Sequence, residues 1–134
     1  MLYEELSRKI LQACFEVSNE LGIGFLESVY ENALLIALRQ KGLIAEEQID
    51  LKVRFRGVIV GDFSVDILVE NKILLELKAV FALAKEHQAQ LINYLKATGM
   101  EVGMLINFGN PKLEYRRFEN KFLKTNSIRD IFSE

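Results

Sequence analysis

Between residues 63 and 78 the chain holds two short, strongly apolar segments, Phe63–Val69 and Ile73–Lys78, separated only by Glu70, Asn71 and Lys72. Runs of this length, rich in Ile, Val and Leu and joined by polar turn-formers, predict two adjacent antiparallel strands. Both are apolar on both faces, which predicts central places in a sheet. A three-residue loop sets Val69 opposite Ile73, Ile67 opposite Leu75 and Val65 opposite Leu77, gathering six apolar side chains on one face. The same register sets Asp66 opposite Glu76, with Lys78 two residues further along the same face. A two-residue loop sends the two acids to opposite faces. The hydrophobic pattern therefore selects the register that pairs them.

The flanking sequence predicts a mixed α/β order. Residues 3–21 carry Leu6, Ile10, Cys14, Val17 and Leu21 at spacings of three and four, an amphipathic helix stopped by Gly22 and Gly24. A second helix is expected from Leu26 to Lys41, with Val29, Ala33, Ile36 and Ala37 near its packing face and Gly42 as its cap. The period then switches to two. Ile49, Leu51, Val53 and Phe55 alternate with Asp50, Lys52, Arg54 and Arg56, a half-buried strand with a polar outer face. Gly57 and Gly61 bracket a short Val58–Val60 segment. Beyond the central pair the pattern predicts a helix over Ala84–Thr98 closed by Gly99, a buried strand over Val102–Phe108, an edge strand over Glu114–Phe118 and a short helix over Ile128–Phe132. A helix between two strands implies a crossover, so the strand at 102–108 is expected to run parallel to an earlier one.

Two carboxylates side by side repel, and burial in apolar strands makes their charge expensive. A divalent cation relieves both costs. A small set of hard oxygen ligands suits Mg²⁺ or Mn²⁺, with water and phosphate completing the shell. Such an ion activates water and polarises a phosphodiester, and Lys78 would stabilise the developing negative charge. The plain alternative makes Asp66 an edge residue and Glu76–Lys78 a solvated pair. On the helix at 84–98, His87, Gln90 and Tyr94 share a face. Gln90 is a candidate to bond a metal-held water or a phosphate, and Tyr94 to contact phosphate, against the alternative of an exposed Gln and a core Tyr. His87 receives no general-base role. Glu27 and Glu31, one helical turn apart, are candidates for a further acid.

The chain has 134 residues, half of them hydrophobic, with a net charge of −2 and one cysteine. This length predicts a single domain spanning 1–134. One cysteine rules out an internal disulfide and a cysteine-built zinc site. No basic start is followed by an apolar stretch, and no run approaches the ~20 residues of a membrane helix. A cytoplasmic protein without membrane attachment is therefore expected. Residues 1–50 carry nine acids against four bases, and residues 51–134 ten acids against thirteen bases. The second part is the better polyanion surface. Lys52, Arg54 and Arg56 form one basic strand face, and Lys112, Arg116, Arg117, Lys121 and Lys124 a second region. The alternative for both is a charged surface that discourages aggregation.

Four motifs in order then resemble a known family. Gly24, Glu27 and Tyr30 match the GxxExxY signature. Asp66 with Glu76-Leu77-Lys78 resembles its acidic core, and His87-Gln88-Ala89-Gln90 through Tyr94 and Gly103–Phe108 continue the likeness over roughly residues 5–120. The GxxExxY proteins are placed in the PD-(D/E)XK nuclease-like superfamily. The resemblance implies a restriction-endonuclease-like core, a mixed central sheet flanked by helices. It further implies that Asp66, Glu76 and Glu27 bind metal, that Lys78 is the catalytic lysine, and that Gln90 and Tyr94 correspond to a Q-x-x-x-Y feature. Two departures stand out: family members often carry a histidine near Ser18 and a proline at Ile23.

The resulting expectation is a Mg²⁺- or Mn²⁺-dependent nuclease acting on DNA or RNA, with a partner or a homodimer where so short a domain must build a substrate channel. The competing expectation is a nuclease fold that no longer catalyses and serves to bind nucleic acid or protein. DNA versus RNA, and endonuclease versus exonuclease action, are open at this level.

Overall fold

The computed structural model describes residues 1–120. In chain order the elements are α1 (Glu4–Leu21), α2 (Glu27–Gln40), β1 (Ala45–Phe55), β2 (Val58–Val69), β3 (Ile73–Lys78), α3 (Lys85–Thr98), β4 (Val102–Asn107) and β5 (Glu114–Glu119). The expected helix at 128–132 lies outside the described residues. One five-stranded sheet runs in the order β1-β2-β3-β4-β5. Only β3 and β4 are parallel, as a crossover through α3 requires, and β2 and β3 occupy interior positions. The fold is the expected α/β one.

The two sheet faces follow the pleat. Ile67, Val69, Ile73, Leu75, Leu77, Val102, Met104 and Ile106 pack with α1 and α2. Leu68 and Leu74 pack with Tyr94 and Leu95 of α3 on the other face. Gly103 permits that second approach. A Cβ there would stand 2.9 Å from Leu91 Cδ1 and 3.2 Å from Leu95 Cδ2. In α1 the predicted stripe is the packing face, with Ile10, Cys14 and Val17 buried. In α2 the face differs from expectation. Tyr30, Leu34, Leu35, Ala37 and Leu38 are buried, whereas Ile36 is exposed. This helix is apolar on most of its circumference, so periodicity alone does not single out the stripe with the larger side chains.

Val58–Val60 is not a separate segment. It continues into β2 through Gly61, which sits beside a register shift at Val53/Arg54, so the glycine marks a bulge rather than an end. The β1–β2 hairpin closes at Arg56-Gly57, both with positive φ (51° and 79°), the pattern of a two-residue type I′ turn. Because β3 pairs only with the Ile67–Val69 end of β2, most of this hairpin projects beyond β3 as a two-stranded arm. Among the described residues no helix is long and apolar enough to cross a membrane.

Candidate active site

The three-residue loop forms as predicted, with Val69 opposite Ile73 and Ile67 opposite Leu75. The backbone ladder then stops, one pair short of Asp66 and Glu76, and the acids themselves carry the pairing on. The Leu77 N–H donates to Asp66 Oδ2 at 2.7 Å, and the Asp66 N–H donates to Glu76 Oε1 at 3.1 Å. The side chains have taken the place of main-chain carbonyls, which requires the strands to splay here. Val65 follows from this. It joins Leu68, Leu74 and Tyr94 on the α3 side instead of the face shared by the other five residues of the predicted set. Directly across β1, Gln48 adopts φ 50°, so both strands bend at the same level. A left-handed non-glycine residue inside a strand carries backbone strain, and strain of this kind gathers at functional sites.

Glu76 is buried, 5% exposed, at the centre of β3. Burial and the neighbouring Asp66 push its carboxyl up to about 8, against weaker help from the Asp66 N–H and Lys78 and a further push from Glu27. Burial also raises Asp66, opposed by the Leu77 N–H, by Lys78 and by the Gln48 and Glu31 side chains. Glu27, in the first turn of α2, is raised by burial and by Asp66 and lowered by Lys78. Glu31, one turn on, is raised by burial while Gln48 lowers it, and Asp66, Glu47 and Glu27 raise it again. Gln48 Nε2 donates to both Glu31 carboxylate oxygens at 3.0 Å. Four acids from α2, β2 and β3 thus act on one another's protonation, and Lys78 favours the charged form of three of them, Glu27, Asp66 and Glu76. Like-charge repulsion of this kind is what a bound cation relieves.

The GxxExxY tyrosine has a different task. The Tyr30 hydroxyl donates to Gly22 O at 2.6 Å and accepts from the Phe25 N–H at 3.3 Å. Its ring stacks on Phe108 at 5.0 Å between centroids, and the Phe108 N–H donates to Lys78 O. Tyr30 therefore ties the loop that leads into Glu27 to the end of the strand that carries Lys78. Asn107 secures the other side: it is fully buried, and its amide bonds the Val80 N–H, Val80 O, the Gly109 N–H and Glu114. Gly109 lies so close to this loop that a Cβ would fall 2.3 Å from Val80 O. Neither Asn107 nor Gln48 stood out in the sequence, because their partners lie on other elements.

Other predicted residues are dispersed. The Tyr94 ring is core, stacked on Phe63 at 4.4 Å, and its hydroxyl is raised by burial and by Glu76 and Asp66. Gln90 is exposed on α3. Lys52 is held by Asp62 at 2.7 Å and Asp50 at 3.0 Å, so the proposed basic strand face is largely neutralised at that point. Arg54 is exposed on the arm, and Arg56 stands over the Phe55 ring at its tip. Arg117 is tied to Ser7, Glu119 and Leu2 O, and Lys121 and Lys124 lie outside the described residues. His87 Nδ1 accepts the Ala84 N–H at the start of α3, a structural role.

Among the described residues no three His, Cys, Asp or Glu side chains form a ready-made metal cage. The donor chemistry fits a hard divalent ion nonetheless. Mg²⁺ characteristically takes one or two carboxylates and keeps several waters, and Asp66 and Glu76 provide such a pair.

Comparison with known proteins gives the chain a family and a fold. A family profile described as the PD-(D/E)XK nuclease superfamily matches residues 4–118. The crystal structure of SSO0001 superposes with a TM-score of 0.55 at 17% identity, over 78% of this chain and 57% of that one. An alkaline exonuclease from Laribacter hongkongensis superposes with a TM-score of 0.52 at 15% identity, over 77% of this chain and 60% of the exonuclease. At such identities the likeness is one of fold, and the chain spans about three-fifths of each structure's length. No curated protein matches this chain significantly.

Proposed function

The chain belongs to the PD-(D/E)XK nuclease superfamily, and on that premise we propose that it is a divalent-metal-dependent nuclease hydrolysing phosphodiester bonds of DNA or RNA. The observation that carries the reading is the interlock of Asp66 and Glu76, which bridges β2 to β3 where the ladder stops and leaves a buried Glu76 and a half-buried Asp66 that repel each other beside Lys78. We assign Asp66 and Glu76 as the residues that would hold Mg²⁺ or Mn²⁺, with Glu27 supplementing them from α2. When bound, the ion supplies Lewis-acid polarisation of the phosphate and a more acidic water. Lys78 sets a compact ammonium beside the carboxylates, where it neutralises charge accumulating on the phosphate. Tyr30 and Asn107 act as positioning residues for Glu27 and Lys78. Gln90 and Tyr94 are assigned to substrate contact, Tyr94 through its hydroxyl alone because its ring is core.

Within the superfamily, Gly24, Glu27 and Tyr30 support placement in the GxxExxY group, where Tyr30 supplies the structural reason for the motif's last position. The proposed catalytic unit is the single domain 1–134.

Cleavage of single- and double-stranded DNA and RNA, with Mg²⁺ or Mn²⁺, tests the assignment. Glu76→Ala and Lys78→Ala are each expected to abolish metal-dependent cleavage and to leave the circular-dichroism spectrum unchanged. Wild-type cleavage by either purified variant refutes the chemistry. The second reading is a non-catalytic binding module that keeps the nuclease fold, since one fold hosts several functions. Calorimetric titration separates the two: heat from Mg²⁺ or Mn²⁺ that disappears in Glu76→Ala favours the enzyme, and no metal heat in the wild type favours the module.

A further inference from the structure

The arm formed by β1 and β2 ends in an exposed apolar tip, and β1 is the outermost strand of the sheet. Long exposed edges are templates for pairing with another chain. At its base the edge is blocked, since the Arg39 guanidinium bonds Ala45 O at 2.7 and 3.2 Å. Beyond that point the strand reads Glu46, Glu47, Gln48, Ile49, Asp50, Leu51, Lys52, Val53, Arg54, Phe55, acidic at one end and basic at the other, with Arg56 following.

We propose that this edge pairs antiparallel with β1 of a second copy of the chain, about a two-fold axis through Leu51, joining two five-stranded sheets into one. The register follows from charge. A two-fold axis perpendicular to the sheet keeps each side chain on its own face, so residues meet in pairs with an even sum of numbers. Centring on Leu51 sets Asp50 against Lys52 and Gln48 against Arg54, and on the other face Ile49 against Val53. Centring on Asp50 or on Lys52 instead sets a like charge against itself on the axis, which destabilises a cross-strand pair. The Leu51 register also accounts for exposed apolar groups at both ends of the arm. Phe55 and Val58 at the tip are 60% and 64% exposed, Ile44 at the base is 65% exposed, and antiparallel pairing brings the tip of each copy beside the base of the other. Isologous self-complementarity in both charge and apolar surface identifies the occupant as the same chain. The proposal is independent of the nuclease reading.

Sedimentation velocity over a concentration series, with the full chain, tests it. The wild type is expected to dimerise. Asp50→Lys sets two lysines together at two places in the interface and is expected to weaken dimerisation at least about tenfold, while the triple variant D50K/K52D/D62K restores opposite charges both across the interface and at the contact between positions 52 and 62 within the arm, and with them the dimer. Leu51→Cys lies on the axis, where opposed Cα atoms stand ~4.5–5.5 Å apart and within disulfide reach, so oxidation is expected to yield a covalent dimer. Val60→Cys, on the other strand of the arm, is expected not to cross-link. Unchanged circular dichroism in each variant separates lost pairing from lost folding. A wild type that stays monomeric, a dimer indifferent to Asp50→Lys, or no cross-link through Leu51→Cys overturns the proposal. So does protection of β1 amides from hydrogen exchange only when a single-stranded DNA oligonucleotide is added, which would give the arm to nucleic acid instead.

Discussion

Replacing Glu76 by Gln is expected to make the metal-free protein more stable at neutral and alkaline pH. Gln keeps the acceptor that receives the Asp66 N–H and removes only the ionisation. The wild-type carboxyl is raised from 4.5 to about 8 in the fold, and at ~1.4 kcal/mol per unit this corresponds to roughly 5 kcal/mol of stability that depends on its being protonated. The sign follows from proton linkage. The folded state holds the proton more tightly than the unfolded chain, so this stability is fully present below pH 4.5, declines as pH rises and is gone above about 8. Urea unfolding followed by circular dichroism, in chelator and across that window, should show the wild-type midpoint falling with pH while the Glu76→Gln curve stays flatter. Above about pH 8 the variant should be the more stable by several kcal/mol, and below pH 4.5 the two should converge. Saturating Mg²⁺ should restore the wild type at high pH through binding to the folded state, and leave the variant nearly unmoved. Parallel curves for the two proteins, or an equal response of both to Mg²⁺, would refute the argument that Glu76 is a buried acid awaiting a cation.

The positioning residues give further outcomes. Tyr30→Phe removes the bonds to Gly22 O and the Phe25 N–H. It should cost about 1–2 kcal/mol in thermal or urea unfolding and lower kcat for cleavage more than it raises KM, since it loosens Glu27 without touching substrate. Gly109→Ala should be far more damaging than Gly103→Ala. The first drives a Cβ into the Val80 backbone at 2.3 Å, whereas the second meets Leu91 and Leu95 side-chain ends at 2.9 and 3.2 Å. Gly103→Ala is expected to cost about 1–3 kcal/mol, and Gly109→Ala to prevent accumulation of soluble folded protein, both measurable by expression and unfolding midpoint.

The sheet's central register was legible in the residues because the side-chain period of a strand is two, and only one loop length puts Ile67, Val69, Ile73, Leu75 and Leu77 on a common face. Asp66 and Glu76 came together by the same logic. Local patterning likewise marked the three helices of the described residues and the parallel return of β4. What it could not supply was partnership across the chain. The Val65 side changed because the acids replaced the backbone ladder, and Lys52 lost its free charge to Asp62 on the neighbouring strand. Tyr30 stands out in the sequence as the last position of a motif, but its task is hidden until its hydroxyl meets Gly22, and Asn107 is one polar residue in a buried strand until Val80 lies beside it. Periodicity encodes which side of an element faces inward, a property of neighbours three, four or two residues apart. Which atom a side chain meets there depends on how separate elements pack, and for this protein that packing decided how Glu27, Asp66 and Glu76, from three different elements, came to share one cation, Lys78.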